Sequence, residues 1–153
     1  MIMKRISIAA CLFVAACGGS QDTDPGAEPE PTAYVDMNFE QRMAFMNEVV
    51  LPEMKPIFVA FDPKFEAMSC ATCHGKGATD GTYAMPSNEV PRLPASEEEF
   101  YEYIKDPEKG KWSQWMMDEV WPEMARLLQV PMYDENTPNG FSCSNCHKHD
   151  GQP

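Results

Sequence analysis

The sequence predicts a mainly α-helical domain with little or no sheet, and three observations point to it. First, two stretches follow one plan: an apolar, Met-bearing segment containing Pro-Glu-Met, then a loop, then C-x-x-C-H. One runs from Met46 through Val50, Pro52, Glu53 and Met54 to Cys70-Ala-Thr-Cys73-His74. The other runs from Met116 through Val120, Pro122, Glu123 and Met124 to Cys143-Ser-Asn-Cys146-His147. Second, the apolar residues of each segment recur every three or four positions, as one helix face requires. Third, no stretch alternates apolar and polar residues for long enough to demand a strand.

In chain order, Lys4-Arg5 and the apolar run Ile6 to Ala16 form an export signal over residues 1–16. Val14-Ala15-Ala16-Cys17 resembles the bacterial lipobox, which implies cleavage before Cys17 and acylation of that residue. More than one acyl chain makes a stable membrane anchor. Residues 17–36 are rich in Pro, Gly and acids, as expected of a disordered tether behind the anchor. The folded domain is expected over 37–153, with repeat one at about 38–94 and repeat two at about 95–153.

Met43, Met46, Val50, Met54, Ile57 and Phe61 make the first helical stripe. Pro52 and Pro56 each remove an amide donor, so a kink or two short helices are expected there. Residues 75–94 read as a loop over the first site. Ser96-Glu-Glu-Glu99 fits a capping box opening a short helix to about Lys105. Asp106-Pro107 and Gly110 read as a turn. Trp112, Trp115, Met116, Val120, Met124, Leu127 and Leu128 form a second stripe, bent at Pro122, and residues 131–140 read as a loop.

The 153 residues carry 12 Lys and Arg against 24 Asp and Glu, a net charge of −12. So acidic a chain lacks the cations that neutralise nucleic-acid phosphates, which excludes that partner class. Acidity favours solubility and steering towards a basic protein partner. No run long enough to span a bilayer lies beyond the amino terminus. An exported, lipid-anchored protein at the cell envelope of a Gram-negative bacterium is expected, facing the periplasm or held at the outer membrane.

C-x-x-C-H is the attachment site of a c-type haem. Cys70 and Cys73, and likewise Cys143 and Cys146, would add to the vinyl groups of two covalently bound haems. His74 and His147 would be the proximal iron ligands. A zinc ribbon needs two C-x-x-C knuckles 15–20 residues apart, and a thioredoxin-like dithiol expects a βαβ setting. Neither pattern is present, and neither explains a histidine directly after both motifs. With Cys11 in the signal and Cys17 acylated, the six cysteines are accounted for. The class becomes a small haem-packed, multihaem cytochrome c, whose core is completed by its cofactors.

Only six residues follow His147, so the sixth ligand of the second iron comes from upstream or is absent. The repeat points to Met124, and by the same register to Met54. His/Met coordination raises the reduction potential. A methionine stripe also serves as core filler, and Met46, Met85, Met116 and Met132 are the alternatives. Met85 is followed by proline, and Met46 and Met116 lie two turns earlier on the same faces. His149 is expected in a solvated tail or at a partner, and the tryptophans and Tyr83 on porphyrin edges and core.

A Met-bearing helix, a turn and C-x-x-C-H in tandem, over residues 40–75 and 112–150, resembles the haem unit of the cytochrome subunit of bacterial photosynthetic reaction centres. That family is commonly a lipoprotein and carries four haems, whereas this chain has two motifs. The resemblance implies a related two-haem carrier, respiratory or periplasmic, with redox proteins or a larger membrane electron-transfer complex as partners. The function expected is single-electron transfer without enzyme activity. The alternatives are a dihaem peroxidase or reductase with one open iron, and a haem-bearing assembly subunit of a respiratory or photosynthetic complex.

Overall fold

A computed structural model describes residues 32–153. The expected signal at 1–16, the acylated Cys17 and the tether as far as residue 31 lie outside the described residues. The class is mainly helical as expected, and among the described residues there is no strand, only isolated bridges.

A 3-10 turn at Tyr34–Asp36 leads into α1, Phe39–Phe45. Asn38 caps α1: its side chain accepts from the Gln41 amide, and the Gln41 side chain accepts from the Asn38 amide. The Tyr34 ring rests on Phe45, with the Arg42 guanidinium 5.2 Å above it.

The break expected at Pro52 takes a different form. α1 runs directly into a π-helical turn, Met46–Val50, and then into α2, Leu51–Phe61. The Leu51 amide donates to Met46 O, five residues back. A proline in a regular helix collides with the carbonyl four residues earlier and cannot bond to it. Widening the preceding turn moves that carbonyl aside. Pro52 then starts α2, where no donor is needed, and Pro56 lies inside α2 without ending it. Repeat two uses the same device: α6, Pro107–Trp115, a π-helical turn at Met116–Val120, then α7, Trp121–Leu128, with Pro122 at its start.

Between α2 and α6 lie the short helices α3, Cys70–His74, α4, Gly77–Asp80, and α5, Glu97–Tyr103. Ser96 caps α5 as expected, but the Glu99 carboxylate accepts from Ala95 rather than closing the box on Ser96. The turn expected at Asp106-Pro107 and Gly110 is instead the start of α6. The Asp106 carboxylate accepts from the Glu108 and Lys109 amides. Pro107 takes the first helical position, where its missing amide costs nothing.

The core joins both repeats: Val50, Met54, Phe58 and Met68 from the first meet Trp115 and Leu127 from the second. Each π-turn packs on the post-proline helix of the other repeat. Phe58 meets Phe65 and Trp115 edge-on, and Phe61 stacks on Trp115 at 4.1 Å. Edge-to-face and offset-stacked pairs suit the ring quadrupoles.

Candidate functional site

Both C-x-x-C-H motifs open on a serine. The Ser69 amide donates to Thr72 Oγ1 at 3.1 Å, and the Ser142 amide donates to Asn145 Oδ1 at 2.7 Å. The variable residue before the second cysteine therefore closes the turn in each motif. That turn is α3 in the first and a 3-10 turn, Cys143–Asn145, in the second. In one tight turn the two thiols and the imidazole come from neighbouring positions. Among the described residues none of these four cysteines is in a disulfide.

Each histidine is held by a backbone carbonyl. His74 Nδ1 lies 3.1 Å from Tyr83 O, and His147 Nδ1 lies 2.7 Å from Pro91 O. A carbonyl oxygen only accepts, so Nδ1 carries a proton in both rings, and Nε2 is the nitrogen whose lone pair a neutral ring would offer. Such a partner fixes the ring and makes the second nitrogen a better metal donor. Burial lowers the His74 pKa, against the opposing pull of the Tyr83 bond, and so favours the neutral ring.

One strap supplies both carbonyls. Residues 83–94, expected as a loop over the first site alone, run on to the second. Ser87 N donates to Cys146 O, Leu93 N donates to Lys148 O, and Asp150 N donates to Leu93 O. The two motifs adjoin: burial pushes the Cys146 thiol up to about 12, and the Cys73 and Cys143 thiols add to it. Burial, with Cys70 beside it, pushes Cys73 up to about 11. Among the described residues no three His, Cys, Asp or Glu side chains converge on a single metal position.

Met54 and Met124 hold equivalent places, each two residues beyond the proline that follows a π-turn. Met54 is 2% exposed in the core, while Met124 is half-buried against it. Met46 and Met116 begin the two π-turns and pack on the same core. Met85 lies in the strap, joined to Pro86 by a cis peptide bond. Met132 is exposed and bridges to Phe141 just before the second motif. Trp112 and Trp115 belong to the aromatic core, Trp121 donates from its ring nitrogen to Phe141 O, and Tyr83 meets His74 edge-on.

His149 departs from its expected place in a solvated tail. Its Nδ1 lies 2.7 Å from Pro94 O and its Nε2 lies 2.9 Å from Ser144 Oγ. Both ring nitrogens are engaged within the chain, clasping the end of the strap to the second motif.

Beside His74 lies a cleft of about 270 Å³, lined also by Lys76, Thr82, Pro86 and Glu89. An apolar groove of about 440 Å³ runs along Ile57, Ala60, Phe61 and Trp115. Each motif thus offers two thiols and one imidazole nitrogen on a single turn, a donor set able to hold a metalloporphyrin. No protein-family model, curated protein or solved structure matches the chain.

The serine and Thr/Asn of both motifs are visible in the sequence as Ser-Cys-x-Thr/Asn-Cys-His, written twice. The strap's carbonyls leave no such trace, because a backbone acceptor has no side-chain signature.

Proposed function

We propose that the chain is a membrane-tethered, two-haem c-type cytochrome that passes single electrons between redox partners at the bacterial cell envelope. The observation that carries this is the pair of histidines, each next to two thiols and each with Nδ1 committed to a carbonyl. Cys70, Cys73 and His74 would hold one haem, and Cys143, Cys146 and His147 the other. Bound haem supplies a one-electron iron couple, whose potential depends on its axial ligand, hydrogen bonding and burial.

The chain's own part is to bind, orient and shield. The capped motif turns present thiols and imidazole together. The strap fixes both rings, and the aromatic core provides apolar surface against which porphyrin can be covered. Met54 and Met124 are the proposed sixth ligands, supported by their equivalent register after the two π-turns; Met46 and Met116 form the next symmetric pair. The acidic surface would steer the carrier towards a basic partner.

The test is spectroelectrochemistry of the purified, matured protein. Two reversible one-electron transitions per chain, with little peroxide turnover, are expected. A chain that takes up no electrons, or that turns over peroxide through an open iron, contradicts the carrier role.

A further inference from the structure

Glu89 ties the strap to the first motif although it belongs to neither motif. Its carboxylate Oε2 accepts from the Lys76 amide at 3.1 Å, two residues after His74. The carboxyl group also lies against Gly75, whose φ is +55°: a Cβ there would stand 2.5 Å from Oε2. The Glu89 amide donates to the hydroxyl of Ser87, which is buried. Ser87 in turn bonds through its own amide to Cys146 O at 3.3 Å. At the far end, Arg92 donates from one guanidinium nitrogen to His149 O and Gln152 O, at 2.8 and 3.0 Å. The carbonyls that orient the two histidines, at Tyr83 and Pro91, lie on either side of Glu89.

We infer that Glu89 is a positioning residue for both histidines, through which one strap couples the orientation of His147 to that of His74. This rests on the two-haem assignment. Glu89 touches only the first motif, so its effect on the second must travel along the strap, from Glu89 through Ser87 to Cys146 and through Pro91 to His147. Arg92 anchors the same strap at the other motif and acts in the reverse direction. Coupling between two sites is reciprocal where both bias one shared element.

A carbonyl bonded to Nδ1–H strengthens the imidazole as a donor and favours the ferric state. A looser strap weakens that bond at both sites and so raises both potentials. The Glu89 carboxylate also lies 3.8 Å from the Lys76 ammonium, but that side chain is almost fully exposed, and such a pair contributes little. The bond to the Lys76 amide is therefore what matters, and glutamine preserves it.

The experiment measures both redox transitions and the ferric paramagnetic spectrum of the full, haem-loaded chain. Glu89→Ala is expected to shift both transitions upward and to alter both sets of ferric signals, while Glu89→Gln stays at wild type. Arg92→Ala, cut at the opposite end, is expected to move both transitions too, and carries the test alone if Glu89→Ala does not fold. Movement of one transition only, of neither, or equal movement in Glu89→Gln overturns the coupling while leaving the haem assignment standing. A chain that matures colourless overturns both.

Discussion

In the first repeat the motif histidine takes its carbonyl from Tyr83, nine residues downstream; in the second it takes it from Pro91, 56 residues upstream. The helices differ in a related way. α2 buries Met54 and Phe58 in the common core, whereas α7 buries Ala125, Leu127 and Leu128 and leaves Met124 half-covered. Yet both repeats solve the proline problem with the same π-turn and close their motifs with the same serine bond. The duplicated plan therefore builds two like turns, but repeat one supplies the support that the second site lacks within its own sequence. The first histidine takes its carbonyl from nearby in its own repeat, and the second takes its carbonyl from the other repeat.

The largest effect should come from removing core that the repeats share. Phe58→Ala, at a side chain 6% exposed between Phe65 and Trp115, should cost about 3–5 kcal/mol. Leu127→Ala, from the other repeat, should cost about 2–5 kcal/mol. Thermal unfolding followed by circular dichroism should give one shared transition in both variants; separate melting of the repeats would break the picture of a common core.

The methionines sharpen the contrast next. Met54→Ala should lose about 2–5 kcal/mol because the side chain is buried, and Met124→Ala should lose less. Under the proposed ligation each variant keeps both haems attached but changes the coordination of one iron and lowers its potential. An unchanged spectrum and unchanged potentials in Met124→Ala would exclude Met124 as a ligand.

The motif turns should respond alike. Thr72→Ala and Asn145→Ala each remove the acceptor for a serine amide, worth about 0.5–1.5 kcal/mol. Denaturant titration giving a loss at one site only would mean that the two turns are not equivalent.

Acid should have the mildest effect. Bonds to backbone amides hold Asp62 and Asp106 below the usual carboxylate pKa, and the Arg126 guanidinium does the same for Glu123. A carboxylate depressed in the folded state contributes stability above its unfolded pKa and loses it as pH falls through the folded value. Melting temperature should hold at neutral pH and decline as the pH falls below the ordinary carboxylate range. Because these groups are exposed, a steep loss at higher pH would point to some other titrating group.

The helices and motifs were legible because their signals are local. Three- and four-residue spacing marks both stripes, and Cys70 to His74 and Cys143 to His147 are contiguous. The π-turns were not legible: Pro52 and Pro122 announce a disturbance, but the sequence does not say whether the chain breaks or widens. Asp106-Pro107 reads equally as a turn or a helix start, and the amides of Glu108 and Lys109 decide it. The second site's support was hidden because its contacts link the strap to residues more than fifty positions away and pass mostly through backbone atoms.

The most direct test of the two-haem assignment is the intact mass and visible spectrum of the matured protein after denaturation. The account predicts two haems per chain that stay attached when the fold is lost, with Cys70, Cys73, Cys143 and Cys146 all closed to alkylation. A colourless chain with four alkylatable thiols, or one holding zinc, would contradict it.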